Sequence, residues 1–294
     1  MLDVMRFLFA TDGSRGADIA LDLLGALPLA CADHVTVLTV PTYSFVGTPM
    51  LERGQGDLLA DRGDRSAYAI ATRALERFTA RGVSAAIDVR AGPVIEAIEA
   101  AALEYAADLI VIGSRGLGAF AGSILGSVAR ALARHASVPV LMVRECRTAP
   151  RRIVVAVDGS DDARAAIALL ADMPLPSDTA ITLVHVLEEG ANEKLAEMVL
   201  AQAARTLAAH VIDHAVIERG HVAEEILVRA AVAKTDLIVL GSRGQTKAAG
   251  LLQGSIADQV LSQAHCAVLI AKAALKPSVV AEPRLAMPRG AVAL

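Results

Sequence analysis

The sequence predicts an α/β fold of two tandem, open, parallel five-stranded sheets with helices on both faces. Short unbroken aliphatic runs, such as Arg6-Phe7-Leu8-Phe9-Ala10 and Leu109-Ile110-Val111-Ile112, alternate with stretches of helical period. That is the pattern of strands covered on both faces by crossover helices. The composition is 54% hydrophobic but only 3% aromatic and lacks Trp, which suits aliphatic sheets under Ala-rich helices. The order also occurs twice: Asp108-Leu109-Ile110-Val111-Ile112-Gly113-Ser114-Arg115-Gly116 returns 128 residues later as Asp236-Leu237-Ile238-Val239-Leu240-Gly241-Ser242-Arg243-Gly244. A chain of 294 residues holds two domains of ordinary size, and a repeat of this length means two copies of one domain rather than a solenoid.

Taken in order, the first strand is Arg6 to Ala10, ending in the turn Thr11-Asp12-Gly13-Ser14. Ser14 is placed to cap a helix whose Ile19, Leu23, Leu24 and Leu27 share one face. Val35 to Val40 form the second strand, stopped by Pro41. The segment from Pro41 to Asp64, with Gly47, Pro49, Gly54, Gly56 and Gly63, reads as a long loose flap before a helix through Ile70, Leu75 and Phe78. Ala85 to Arg90 give a third strand and Gly92-Pro93 open a helix, with Pro93 at the first helical position. After the fourth strand and its glycine turn come a helix from Ser127 to His135 and a fifth strand from Val138 to Val143.

The second half repeats this course. Asp158-Gly159-Ser160 matches Asp12-Gly13-Ser14 at an offset of 146, and Val186 follows Asp158 by the same 28 residues that separate Val40 from Asp12. The large difference is an 18-residue shortening between strands two and three, which removes most of the flap. The expected organisation is a first domain over 1–146, a linker over 147–151, a second domain over 152–273 and a tail over 274–294. The tail's Pro277, Pro283, Pro288 and Gly290 fit a mobile terminus.

Each glycine turn runs nine residues to a small pair, Gly126-Ser127 or Gly254-Ser255, so G-x-x-G-x9-G-S occurs in both halves. A strand, a glycine-rich turn and a helix start form a phosphate-binding layout. Gly113, Gly116, Gly241 and Gly244 can take positive φ and lack a Cβ, so backbone N–H groups can close on an anion. Ser127-Val128 and Ser255-Ile256 open helices, with unpaired N–H donors, a hydroxyl and the positive dipole end. A plain α/β turn needs one or two glycines, not a third at fixed distance. Asp12 and Asp158 read two ways, as turn residues or as carboxylates accepting hydrogen bonds from a ribose or base. Ser114, Arg115, Ser242 and Arg243 lie in the turns, where the arginines can offset phosphate charge. In an open parallel sheet these positions gather beyond the carboxyl ends of the strands, where strand order reverses.

Several chemistries find no support. The chain lacks G-x-x-x-x-G-K-[ST] and a G-x-G-x-x-G after a strand, so neither a P-loop nor a dinucleotide fingerprint is present. No paired carboxylates suggest two-metal chemistry, and no Ser, His and Asp set is arranged for acyl transfer; no catalytic residue and no metal ligand is assigned. His185 reads as a core residue and His221 as a turn residue. The formal charge of −4 and pI near 6.0 give a nucleic-acid partner no electrostatic support. Cys31, Cys146 and Cys266 lack metal spacing and read as thiols in a reducing cytoplasm. No apolar run reaches the length of a membrane span, so the expected location is cytoplasmic.

With these residues in view, the chain resembles the universal stress protein family, and specifically its tandem members. The resemblance covers about residues 5–144 and 151–272 and rests on the D-G-S turns and on both G-x2-G-x9-G-S motifs, the mark of the ATP-binding subclass. It implies a Rossmann-like, adenine nucleotide alpha hydrolase-like fold that binds ATP, with or without magnesium. Asp12 or Asp158 would face the nucleoside, and Val40 or Val186, at the end of strand two, would hold adenine through backbone bonds. It implies that fifth strands pair, so Val138 to Val143 and Ala267 to Ala271 are expected to meet within the chain, which also admits a homodimer. The functional expectation is a nucleotide-dependent switch or adaptor in stress response, with at most slow hydrolysis. The alternative is a scaffold that holds no nucleotide or an apolar ligand; the downstream partner is not specified.

Overall fold

A computed structural model describes residues 4–41, 53–117, 125–188, 190, 192–244 and 255–273. Residues 42–52 of the expected flap, Gly254 and the tail lie outside the described residues.

The first half runs β1 (Arg6–Ala10), α1 (Arg15–Ala26), β2 (His34–Thr39), α2 (Arg53–Thr79), β3 (Ser84–Val89), α3 (Val94–Glu104), β4 (Leu109–Gly113), α4 (Ser127–His135) and β5 (Val140–Val143). The second runs β6 (Arg152–Ala156), α5 (Asp161–Asp172), β7 (Ala180–Leu187), α6 (Glu193–Thr206), β8 (Val211–Arg219), α7 (Val222–Val232), β9 (Leu237–Gly241), α8 (Ser255–Gln263) and β10 (Ala267–Ala271). Several sequence expectations move at their edges: β2 covers His34–Thr39 rather than Val35 to Val40, β3 Ser84–Val89 rather than Ala85 to Arg90, and β5 Val140–Val143 rather than Val138 to Val143. α2 opens at Arg53 rather than beyond Asp64, because the helix formers from Asp57 to Arg62 carry the helix through glycines that cost about 1 kcal/mol each. Pro93 is the N-cap of α3, at φ −64° and ψ 130°, not its first helical residue.

The two five-strand sets join into one ten-stranded sheet of order β3-β2-β1-β4-β5-β10-β9-β6-β7-β8. All described pairings are parallel except the central one, where β10 meets β5 antiparallel with Leu269 opposite Leu141. The expected pairing of fifth strands is therefore present, and it removes two open sheet edges. Side chains alternate across the sheet. Phe7, Phe9 and Val111 pack under α1 and α2 in one cluster, while Leu8, Ile110 and Ile112 pack under α3 and α4 in the other. Both clusters run through both halves, so the joint carries hydrophobic core on each face.

Polar contacts across the joint are reciprocal. Arg144, one residue past β5 and only 8% exposed, donates to Leu261 O (2.9 Å) and Ala264 O at the end of α8. Lys272, one residue past β10, donates from Nζ to Arg134 O (2.7 Å) and Ala136 O (2.8 Å) at the end of α4. Each half thus supplies the cation that satisfies the last carbonyls of the other half's fourth helix and sits at its negative dipole end. Arg134 adds a bidentate pair to Asp258. The repeated Asp108 and Asp236 are structural: Asp108 accepts from Arg6 N (2.8 Å) and Asp236 from Arg152 N (2.9 Å), pinning the starts of β1 and β6. No helix among the described residues is long and apolar enough to cross a membrane.

Candidate functional site

In each half the strand order reverses between the first and fourth strands, β1 and β4 or β6 and β9. A crevice opens there beyond the strand ends, and the Asp-Gly-Ser turn and the glycine turn face it from its two sides.

In the first half, Asp12 accepts from Ser14 N (3.0 Å) and from Leu117 N (2.8 Å). One carboxylate thereby shapes its own turn and fastens the end of the glycine turn. Gly13 takes φ +73° and Gly159 φ +79°, so positive φ belongs to the Asp-Gly-Ser turns. The motif glycines Gly113, Gly116, Gly126, Gly241 and Gly244 have no positive φ, which corrects one reason given for them. Close approach is the reason that holds. A Cβ on Gly113 would lie 2.6 Å from Gly16 O and 2.7 Å from Ala17 N, and one on Gly116 would overlap the Asp12 carboxylate.

Gly126 closes the first cradle. It is the N-cap of α4 and no side chain caps that helix, unlike α1, whose Ala17 N bonds Ser14 Oγ at 3.3 Å. Its own N–H goes to Ser114 O at 2.8 Å, leaving the first-turn N–H groups of Ser127, Val128 and Ala129 without intrahelical partners. A Cβ on Gly126 would sit 3.4 Å from Ser114 O, 3.6 Å from Arg115 Cα and 3.7 Å from Gly116 N. The glycine turn and the helix start therefore lie against each other across a space one methyl deep. Val40 lies one residue beyond β2 at the crevice, 9% exposed. Beside it the hydroxyl of Thr39 is buried without a partner among the described residues.

The second crevice has the same frame and different contents. A Cβ on Gly241 would lie 2.7 Å from Ala163 N, and one on Gly244 would lie 2.9 Å from Asp158 Oδ2. Asp158 accepts from Ser160 N at 2.9 Å. α8 opens at Ser255, followed by Ile256; Gly254 lies outside the described residues. Ser242 turns inward, and the exposed Arg243 reaches back to the same carboxylate, that of Asp162. Asp162, 3% exposed, accepts from Ser242 Oγ (2.7 Å), Arg243 Nε (3.1 Å) and Ala273 N (2.9 Å). Burial alone would raise its pKa, but the Ala273 amide, the Ser242 hydroxyl and the Arg243 guanidinium outweigh burial and hold it below the ordinary carboxylate value. Val186 is paired inside the ladder with Glu218, which continues to Leu187 and Arg219, so it lies within its strand where Val40 lies just past its own. His185 is half-buried rather than a core residue, and its Nδ1–H donates to Val157 O at 2.6 Å.

Sequence reasoning missed Asp162, Thr39, Arg144 and Lys272. Alignment of the halves carries the signal for each: Asp162 stands where the first half has Gly16, and Lys272 stands where it has Arg144. Among the described residues no group of three His, Cys, Asp or Glu side chains could hold a metal ion.

The model of the universal stress protein family matches residues 4–144 and 150–272, nearly all of both halves. The chain belongs to the universal stress protein family. A universal stress protein of Mycobacterium tuberculosis is 30% identical over 217 residues, covering 64% of this chain and 72% of the relative. One of Mycobacterium bovis is 28% identical over 187 residues, covering 56% and 62%. The fold is that of a universal stress protein from Archaeoglobus fulgidus, with TM-score 0.69, 22% identity, 91% of this chain and 98% of that one covered. A functionally unknown protein from Pseudomonas aeruginosa shares it at TM-score 0.60 and 17% identity, covering 92% and 93%.

Proposed function

We propose that this universal stress protein binds an adenine nucleotide, ATP in the first instance, and works as a nucleotide-dependent switch or adaptor with at most slow hydrolysis. The cradle at Gly126 supports this reading. An uncapped helix start and a glycine turn sit in contact with no Cβ between them, and such a concavity of N–H groups favours a polyanion. Val40 lies just past the end of β2, where the strand ladder stops and a base can meet its backbone, and the Asp12 carboxylate retains lone pairs for ribose hydroxyls.

The chemistry offered is binding and positioning. Phosphoryl transfer requires placed groups for the nucleophile and the metal, and the described residues include no group of three His, Cys, Asp or Glu side chains that could hold a metal. Bound nucleotide would bridge β1, β4 and the start of α4, three elements of the first half. Its presence or absence is thus a signal readable at the crevice rim.

The test is the nucleotide content of freshly purified chain, identified by chromatography after denaturation, beside Gly126→Val. A Cβ at Gly126 meets only ordinary van der Waals neighbours and the extended backbone there suits valine, whose further methyls overfill the cradle; a cooperative thermal melt of the variant separates loss of the cradle from loss of the fold. The expected result is adenine nucleotide in the wild type and none in the variant. Added ATP at about a hundred times its Kd should stabilise the wild type by about 2.7 kcal/mol. An empty wild type without a thermal shift at millimolar ATP would overturn the reading in favour of the scaffold.

A further inference from the structure

We infer that the two motifs are not equivalent: the first half holds the nucleotide, and the second is closed to it by its own Asp162. The inference rests on the nucleotide reading above and says which crevice is used.

The two turns start alike, since a Cβ on Gly113 or on Gly241 would lie the same 2.7 Å from the amide nitrogen of Ala17 or Ala163. They then part. A Cβ on Gly16 would overlap the Arg115 carbonyl, so that carbonyl occupies the space Gly16 leaves, and Ser14 Oγ donates to it at 3.3 Å. Asp162 has a Cβ and a carboxylate at the matching position, so the Arg243 carbonyl cannot take the same path. The carboxylate also takes up Ser242 Oγ and Arg243 Nε, two groups the motif would turn toward phosphate. Arg115 carries no such carboxylate among the described residues.

Charge follows the same division. Beside the first turn stand Arg115 and Arg144, and the Arg144 pKa is lowered by burial first and by Arg115 second; the carboxylates there are Asp12 and the exposed Glu145. Beside the second turn Arg243 and Lys272 lie near the buried Asp162, Glu99 also acts on Lys272, and Asp158 stands behind Gly244. One extra buried negative charge behind a loop meant for a polyanion weakens binding there roughly tenfold or more. The base end agrees: among the described residues the buried Thr39 hydroxyl has no partner, while its counterpart His185 commits Nδ1 to Val157 O.

The experiment is titration of nucleotide-stripped full chain with ATP, reading the number of sites. One site per chain, lost in Gly126→Val, supports the inference. Asp162→Gly, which copies the first half, and Asp162→Asn, which keeps the shape and removes the charge, should each reveal a second site. Should Asp162→Gly not fold, Asp162→Asn decides. Two sites of similar affinity in the wild type would overturn the inference and leave the nucleotide reading standing. A single site that survives Gly126→Val, or folded Asp162 variants that still show one site, would also overturn it. No site at all would sink both readings.

Discussion

Gly113 and Gly116 look interchangeable in the motif, yet the structure assigns them different costs. An added Cβ at Gly113 meets backbone, 2.6 Å from Gly16 O and 2.7 Å from Ala17 N. Relief requires moving the start of α1 away from β4, against the burial of Leu21, Leu23 and Leu24. Overpacking of this kind costs about 1 to 3 kcal/mol, and an immobile backbone partner puts Gly113→Ala near 3. At Gly116 the neighbour is the end of the Asp12 side chain. It can swing aside at the loss of its bond to Leu117 N, and a bond at so exposed a place is worth only about 1 kcal/mol. Neither glycine has positive φ, so alanine carries no backbone penalty at either. The expectation is about 3 kcal/mol lost in Gly113→Ala and about 1 in Gly116→Ala, or midpoint shifts of roughly 6 to 12 °C against 2 to 4 °C. Urea titration and calorimetry measure both. A loss in Gly113→Ala no larger than in Gly116→Ala would refute the argument that close backbone approach fixes the first motif glycine.

Arg144→Met should destabilise by about 2 to 3 kcal/mol, since it strips two carbonyls at the end of α8 of their charged donor; a urea midpoint within error of wild type would contradict that. Lys272→Met should cost less, because the ammonium is less buried than the guanidinium. Asp162 has a folded pKa below its unfolded value of about 3.8. Its contribution to stability is therefore full above that value and lost as pH falls through the folded pKa. The stability gap between wild type and Asp162→Asn should be wide at neutral pH and close in strong acid, and a gap that widens on acidification would reverse the sign. Burial pushes the Cys266 thiol up to about 11 and raises that of Cys146, whereas Cys31 is exposed. Iodoacetamide at neutral pH should label Cys31 first and Cys266 only on unfolding, as peptide mass mapping would read.

The strands were legible because two-sided burial writes them as bare aliphatic runs. β1 and β4 sit where the runs at Arg6 and Leu109 put them, and the repeat offset transferred each reading to the other half. The meeting of β5 and β10 was legible only through family resemblance, since nothing in Val140–Val143 or Ala267–Ala271 alone names a partner strand. Asp162 was hidden by its own plausibility. An acidic residue in the first turn of a helix is what the dipole favours anyway, so Asp161-Asp162 reads as ordinary solvated charge until Asp162 proves 3% exposed. Arg144 was hidden likewise, as one charge in a polar connector. The start of α2 was misplaced because glycine was weighed as punctuation where it is only a tolerated cost.

Duplication inside a single sheet explains how such a second crevice can persist. What the second half contributes to stability is β10 against β5, the two shared core clusters and the Lys272 cap on α4. None of these passes through the space above the Gly241–Gly244 turn. Asp162 adds to the same account, since it ties the Ser242 hydroxyl and the Ala273 amide at the ends of β9 and β10. A carboxylate that costs affinity for a polyanion thus gains internal partners, and the loss falls on a site whose twin remains open. The first half has no such latitude, because its Gly16 position is filled by the Arg115 carbonyl. Gly16→Asp should therefore disrupt the first turn sterically as well as electrically, abolishing ATP binding with a loss of stability. Retention of wild-type affinity in that variant would show that the difference between the halves lies elsewhere than at this position.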